Sequence, residues 1–257
     1  MKKPLIIIAG PCIIESKELL RQTAEVLKSS TNGLNIDFYF KSSFKKANRT
    51  SINTFTGIGD FKALIYLSEI RKEYEIPVLT DIHLPEDAEK VSKYVDVIQI
   101  PAFLSRQTDL LLAAGETDKI VNIKKGQFLA PEDIKKAADK VASTGNNKIW
   151  LTERGTSFGY HDLIVDFRSL LIMKQYGYPV IYDATHSLQK PSVGEQSGGN
   201  PEFIIPLAKA AIAAGVDGIF FETHPKPAKA LSDSATQLEL LKAGDFIKEL
   251  SRIYEMV

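Results

Sequence analysis

Eight short segments rich in β-branched and aromatic residues recur down the chain, each closed by turn chemistry and most followed by a stretch with helical periodicity. They are PLIIIAGP (4–11), DFYFKSS (37–43), IPVLTDI (76–82), VDVIQIP (95–101), KIVNIKK (119–125), KIWLTER (148–154), PVIYDAT (179–185) and GIFFETH (218–224). Most are near-continuous apolar runs, the pattern of strands buried on both faces of a helix-covered parallel sheet. Between them lie the amphipathic stretches KELLRQTAEVLKSS, DFKALIYLSEIRKEY, PEDAEKVSKY, PEDIKKAADKVAS, DLIVDFRSLLIMKQYG and PEFIIPLAKAAIAAG, several opening on a Pro-Glu or Asp signal. Eight βα units in 257 residues predict an α/β chain folded as one (β/α)8 TIM barrel over residues 1–257, whereas a doubly wound sheet seldom uses eight strands so evenly spaced. No Ser/Gly linker or abrupt change of composition divides the chain.

Charge narrows the possible partners. The 32 basic residues are balanced by 32 acidic ones, and no run of lysine and arginine offers a track for a nucleic-acid backbone, so nucleic acid is not an expected partner. The amino-terminal apolar run LIII is too short for a signal-peptide core and is soon cut by Pro11 and Glu15; it reads as a first strand. No stretch approaches the roughly 20 uncharged residues a membrane span needs. With one cysteine the chain forms no internal disulfide, and the expected location is the cytoplasm.

In a barrel the reactive face lies at the carboxyl ends of the strands. Here those ends and their loops carry Cys12; Lys41, Lys46 and Arg49; Asp81; Gln99; Lys124; Arg154; Asp183 and His186; and Glu222, His224 and Asp233. Lys41, Lys46, Arg49, Lys124 and Arg154 would face one cavity, where five positive charges repel one another unless an anion joins them, so a phosphate-bearing ligand is expected. Cys12, His186, Glu222 and Asp233 come from strands one, seven and eight, which ring closure makes neighbours. Their donor types suit zinc or ferrous iron, yet a lone cysteine after an apolar strand is more often a buried packing group. On the residues alone Cys12 stays open between those readings. His83 is expected at the pocket wall or just behind it, His224 behind Glu222, His161 at the start of a half-exposed helix, and Phe103 as a wall of the pocket.

The ordered set AGPCIIES, FKSSFKKANRTS, TDIH, DVIQIPAFLSRQTDLL, VNIKKGQF, LTERGTSFGY, YDATHSLQ, SGG and FETHP resembles the 3-deoxy-D-manno-octulosonate 8-phosphate synthases (KDO8P synthases) from about residue 5 to residue 240. The related synthases of 3-deoxy-D-arabino-heptulosonate 7-phosphate, which use erythrose 4-phosphate, generally read KPRTS where this chain has Lys46-Ala47-Asn48-Arg49-Thr50-Ser51, so the Ala-Asn pair favours the eight-carbon product. Sialic-acid synthases are less similar, and a non-catalytic phosphosugar-binding barrel is the rival of another class.

That resemblance implies a cytoplasmic homotetrameric transferase that condenses phosphoenolpyruvate with D-arabinose 5-phosphate in lipopolysaccharide precursor synthesis. It implies phosphoenolpyruvate binding by Lys41, Lys46, Lys124 and Arg154, sugar-phosphate binding by Arg49 with Asn48 and Ser197, and further contacts from Asp81, Gln99 and Phe103. Catalytic roles would fall to Lys46, Asp81, His186, Glu222 and Asp233. Cysteine in the first-strand motif, where metal-independent members carry asparagine, implies a divalent ion such as Zn, Fe(II) or Mn on Cys12, His186, Glu222 and Asp233. One departure stands out: the chain reads Asn200-Pro201 after the SGG triplet, where a basic residue is expected.

Overall fold

A computed structural model describes residues 2–49, 51–190 and 198–257. Its centre is a closed parallel barrel of β1 (Leu5–Gly10), β2 (Ile36–Lys41), β3 (Val78–Asp81), β4 (Val97–Ile100), β5 (Ile120–Lys124), β6 (Ile149–Glu153), β7 (Val180–Asp183) and β8 (Gly218–His224). Each strand pairs with the next in sequence, and β1 pairs with β8 from Ile6↔Gly218 to Gly10↔Glu222, which closes the ring. The eight apolar segments read from the sequence are these eight strands: β8 matches its segment residue for residue, β2 starts one residue earlier and ends two earlier, and the other six are trimmed by one or two residues at each end.

Around them stand α1 (Lys17–Thr31), α2 (Asp60–Tyr74), α3 (Pro85–Ser92), α4 (Thr108–Glu116), α5 (Ile134–Ala142), α6 (Arg168–Lys174), α7 (Ile204–Ala213) and α8 (Leu240–Met256). Strand alternation sorts the apolar residues into two cores. Ile8, Leu79, Val97, Trp150, Ile181 and Phe220 fill the barrel, with Tyr39 packed edge-on against Trp150 at 4.8 Å between centroids. The larger core lies between the sheet and the helices and includes Ile7, Phe40, Val121, Leu151, Phe221 and Phe246.

Two local features aim the first loop. Gly10 ends β1, and a Cβ there would lie 2.1 Å from the Lys41 carbonyl oxygen, so only glycine lets β1 and β2 run this close as the chain turns toward Cys12. Ser16 then caps α1, its hydroxyl accepting the Leu19 amide at 3.1 Å.

One expected helix is shorter than its periodicity suggests. Residues Asp162–Ile164 pair antiparallel with Thr156–Gly159, and α6 begins only at Arg168. His161 therefore sits at an exposed hairpin turn with Tyr160, both at positive φ (65° and 51°), and not at a helix start. The alternation of TSFG and DLI pairs across this turn and overrides the helical period.

Candidate active site

The strand carboxyl ends open into a cavity of about 490 Å³, lined by Lys41, Lys45, Lys46, Asn48, Arg49 and Asp81 on one side. Gln99, Phe103, Lys124, Arg154, His186 and Asp233 contribute to the rest of its wall. The five cations singled out in the sequence thus share one cavity, joined by Lys45, which lies in the same loop after β2 as Lys46 and Arg49. Under them lies the Phe220 ring, with Lys124 Nζ 3.7 Å and Lys41 Nζ 5.6 Å from its centroid. A bound anion is only part of what balances these five charges, because two of the five groups already have internal carboxylates. Lys41 donates to Glu222 at 2.6 Å and Lys124 to Asp183 at 2.5 Å, both within buried pairs.

Three cations keep unused capacity. Lys46 has no carboxylate within ion-pair distance among the described residues. Burial pushes its pKa down, but the surrounding negative groups outweigh that and hold it above the ordinary lysine value; the strongest, Cys12, acts only when ionised, leaving Asp81, Glu222 and Asp233 to act at neutral pH. Arg154 gives one Nη2 hydrogen bond to Gln189 Oε1 at 2.9 Å, while its buried Nη1 has no partner; Arg49 has unpartnered Nε and Nη2. Buried donors with nothing to bind are costly unless a ligand supplies the acceptor, and all of these line the same cavity.

Acidic groups are held ionised beside them. Burial raises Asp81, yet Lys46 and then the His83 hydrogen bond pull it well below the usual carboxylate range. Its Oδ2 stands 3.5 Å from His83 Nε2, and its Oδ1 is buried without a partner. Glu222 follows the same logic: burial opposes ionisation, but Lys41, ahead of His186 and Lys46, wins.

At the seam between β1 and β8, ligand atoms of Cys12, Glu222 and Asp233 lie within 4.8 Å of one another. The Cys12 Sγ is 3.3 Å from Asp233 Oδ2 and 2.8 Å from Ser232 Oγ. His186 stands beside this group, with Nε2 3.5 Å from Glu222 Oε1 and 3.8 Å from Asp233 Oδ2, while Nδ1 is 2.8 Å from Asp183 Oδ2. Asp233 holds a positive φ of 47°, a conformation uncommon outside glycine that turns its carboxylate toward the thiol. Glu222 Oε2 is buried with no hydrogen-bond partner. One thiol, two carboxylates and an adjacent imidazole, with a free buried oxygen among them, fit a divalent cation.

His224 packs behind, its Nδ1 accepting the Lys226 amide at 2.9 Å, and His83 lines the cavity. Ser197 lies outside the described residues. Sequence reasoning missed a buried pair under the rim: Lys125 Nζ donates to Leu129 O and Thr156 Oγ1, both at 3.0 Å, and stands 3.6 Å from Glu153. The doublets Lys124-Lys125 and Glu153-Arg154 carry that signal, since neighbouring residues of a strand point to opposite faces.

The chain matches the DAHP synthetase I family over residues 1–256. A 2-dehydro-3-deoxyphosphooctonate aldolase of Trichlorobacter lovleyi is 51% identical over 254 residues, covering 98% of this chain and 93% of that protein. Proteins of the same name from Francisella philomiragia (49%, 99% of this chain and 93% of the relative) and Campylobacter jejuni (50%, 99% and 98%) are similarly close. Among the described residues no helix is long and apolar enough to cross a membrane.

Proposed function

The chain belongs to the DAHP synthetase I family, and on that premise we propose that it condenses phosphoenolpyruvate with D-arabinose 5-phosphate and water, giving 3-deoxy-D-manno-octulosonate 8-phosphate and phosphate. The relatives named 2-dehydro-3-deoxyphosphooctonate aldolase, about half identical over nearly the full chain, support the same reading. The observation that carries this reading is the set of unpartnered buried donors on Arg49 and Arg154, with the half-buried Lys46 beside them, around one cavity, which calls for an anion at more than one place.

Lys124, Arg154, Lys41 and Lys46 hold the phosphate and carboxylate of phosphoenolpyruvate. Arg49, with Asn48 and Ser197, holds the distal phosphate of the sugar. Fixing both reactants places the enol carbon against the aldehyde, an entropic effect that reaches roughly 7–11 kcal/mol in favourable cases. As that bond forms, negative charge gathers on the aldehyde oxygen, and the Lys46 ammonium stabilises it without reorganising. Water adds to the neighbouring carbon, which takes positive character; the carboxylate of Asp233 or Glu222 accepts one proton of that water and passes it to the aldehyde oxygen, which becomes a hydroxyl. Cleavage of the carbon–oxygen bond to phosphate then leaves the ketone, the second proton of the water departing with the phosphate.

A divalent ion held by Cys12, Glu222, Asp233 and the adjacent His186 would supply Lewis-acid polarisation of an oxygen. By family likeness the working form is a cytoplasmic homotetramer.

The test is phosphate release on mixing phosphoenolpyruvate with D-arabinose 5-phosphate, against each alone and against erythrose 4-phosphate. Release that needs both substrates and prefers the pentose supports the proposal. Preference for the tetrose transfers it to heptulosonate synthesis, and binding without release leaves a non-catalytic barrel.

A further inference from the structure

Below the cation ring, Asp81, Gln99 and Asn122 stand side by side in register across β3, β4 and β5. All three are inside the barrel mouth, with Asn122 fully buried and Gln99 only 4% exposed. Asn122 Nδ2 donates to Gln99 Oε1 at 3.1 Å, and the buried hydroxyl of Thr152 on β6 donates to Asn122 Oδ1 at 2.6 Å. This row is a relay with a direction. A hydroxyl that gives its proton to the Asn122 carbonyl leaves the Asn122 NH2 facing Gln99; that NH2 takes the Gln99 carbonyl; the Gln99 NH2 is left for the cavity that Gln99 lines. The reverse direction would place the Gln99 carbonyl in the cavity, beside the ionised carboxylate of Asp81 on the neighbouring strand.

We propose that Asn122, set by Thr152, is a positioning residue that presents Gln99 to phosphoenolpyruvate as a hydrogen-bond donor. The ligand choice rests on the function proposed above: Gln99 is one strand from Lys124 and two from Arg154, the cations assigned to that substrate. A lone glutamine in an open cavity presents its two ends in nearly equal measure. Fixing one end removes that ambiguity before the substrate arrives and adds a neutral donor where a further cation would repel Lys124.

The test is Asn122→Asp, which is isosteric but accepts on both oxygens when ionised, so the Gln99 NH2 is drawn back and its carbonyl faces the cavity. The KM for phosphoenolpyruvate should rise about tenfold or more, the size expected for losing one hydrogen bond to a charged group, with the KM for D-arabinose 5-phosphate within about twofold of the original. Thr152→Val removes the proton that sets the direction and should raise the same constant by a smaller factor, while Thr152→Ser restores it; this pair carries the test if the aspartate variant does not fold. Calorimetric binding of phosphoenolpyruvate gives the same comparison without turnover. An unchanged KM in a folded variant, or equal rises for both substrates, would overturn the proposal. Failure of the unaltered protein to bind phosphoenolpyruvate would instead count against the function proposed above.

Discussion

Metal uptake at the β1–β8 seam should release a proton from Cys12. Burial raises the thiol well above its ordinary value, and the nearby carboxylates of Asp233 and Glu222 raise it further. An ordinary thiol, at about 8.5, is only about 3% ionised at neutral pH, so forming the thiolate here costs at least about 2 kcal/mol of metal affinity. The sign follows directly. Below the raised pKa the free site holds a neutral thiol and the loaded site a thiolate, so apparent affinity gains about tenfold from this group for each unit rise in pH. Glu222 is already ionised and releases nothing in that range. Chelator-stripped protein titrated with Cd2+ in weakly buffered solution should therefore release one proton more per chain than Cys12→Ala at saturation, and only the unaltered protein should gain the ultraviolet thiolate-to-metal band. Equal proton release by the two proteins, or no such band, would refute thiolate ligation; groups that titrate alike in both cancel in the comparison.

Three further outcomes follow from the geometry. Lys125→Met leaves Glu153 buried without its cation and should lower stability by about 3–5 kcal/mol in urea denaturation, with Lys125→Met/Glu153→Leu losing much less than the two single changes summed. Arg154→Lys removes the fork that reaches Gln189 while leaving a donor for the ligand, and should raise the KM for phosphoenolpyruvate about tenfold or more with an unchanged melting temperature. Gly10→Ala drives a methyl into the Lys41 carbonyl; overpacking of this kind costs about 1–3 kcal/mol, read as a lowered melting temperature, and the shift of β2 should weaken phosphate binding as well.

The barrel was legible because its strands are buried on both faces, so each announces itself as an apolar run whatever the helices do. Ring closure then made the Cys12–Asp233 neighbourhood readable across most of the chain, and the cations at strand ends followed from the barrel rule alone. Three things were not legible. The hairpin before α6 was hidden because Asp162–Ile164 fits a helical period until Gly159 and its turn are weighed against it. Internal pairing of Lys41 with Glu222 and Lys124 with Asp183 depends on which residues face inward at the same height, which strand stagger sets and spacing does not. Lys125 and Glu153 were passed over because a charged doublet reads as surface, although alternation sends one member inside the rim and the other beneath it.

Closing the ring with its first and last staves has a consequence for biogenesis. After the ribosome has made Cys12, more than two hundred further residues must be joined before Glu222 and Asp233 exist. Until β8 and the loop after it have been made, Cys12 is therefore without these two neighbours. A chain stalled before β8 carries no completed seam on which a cation could be held.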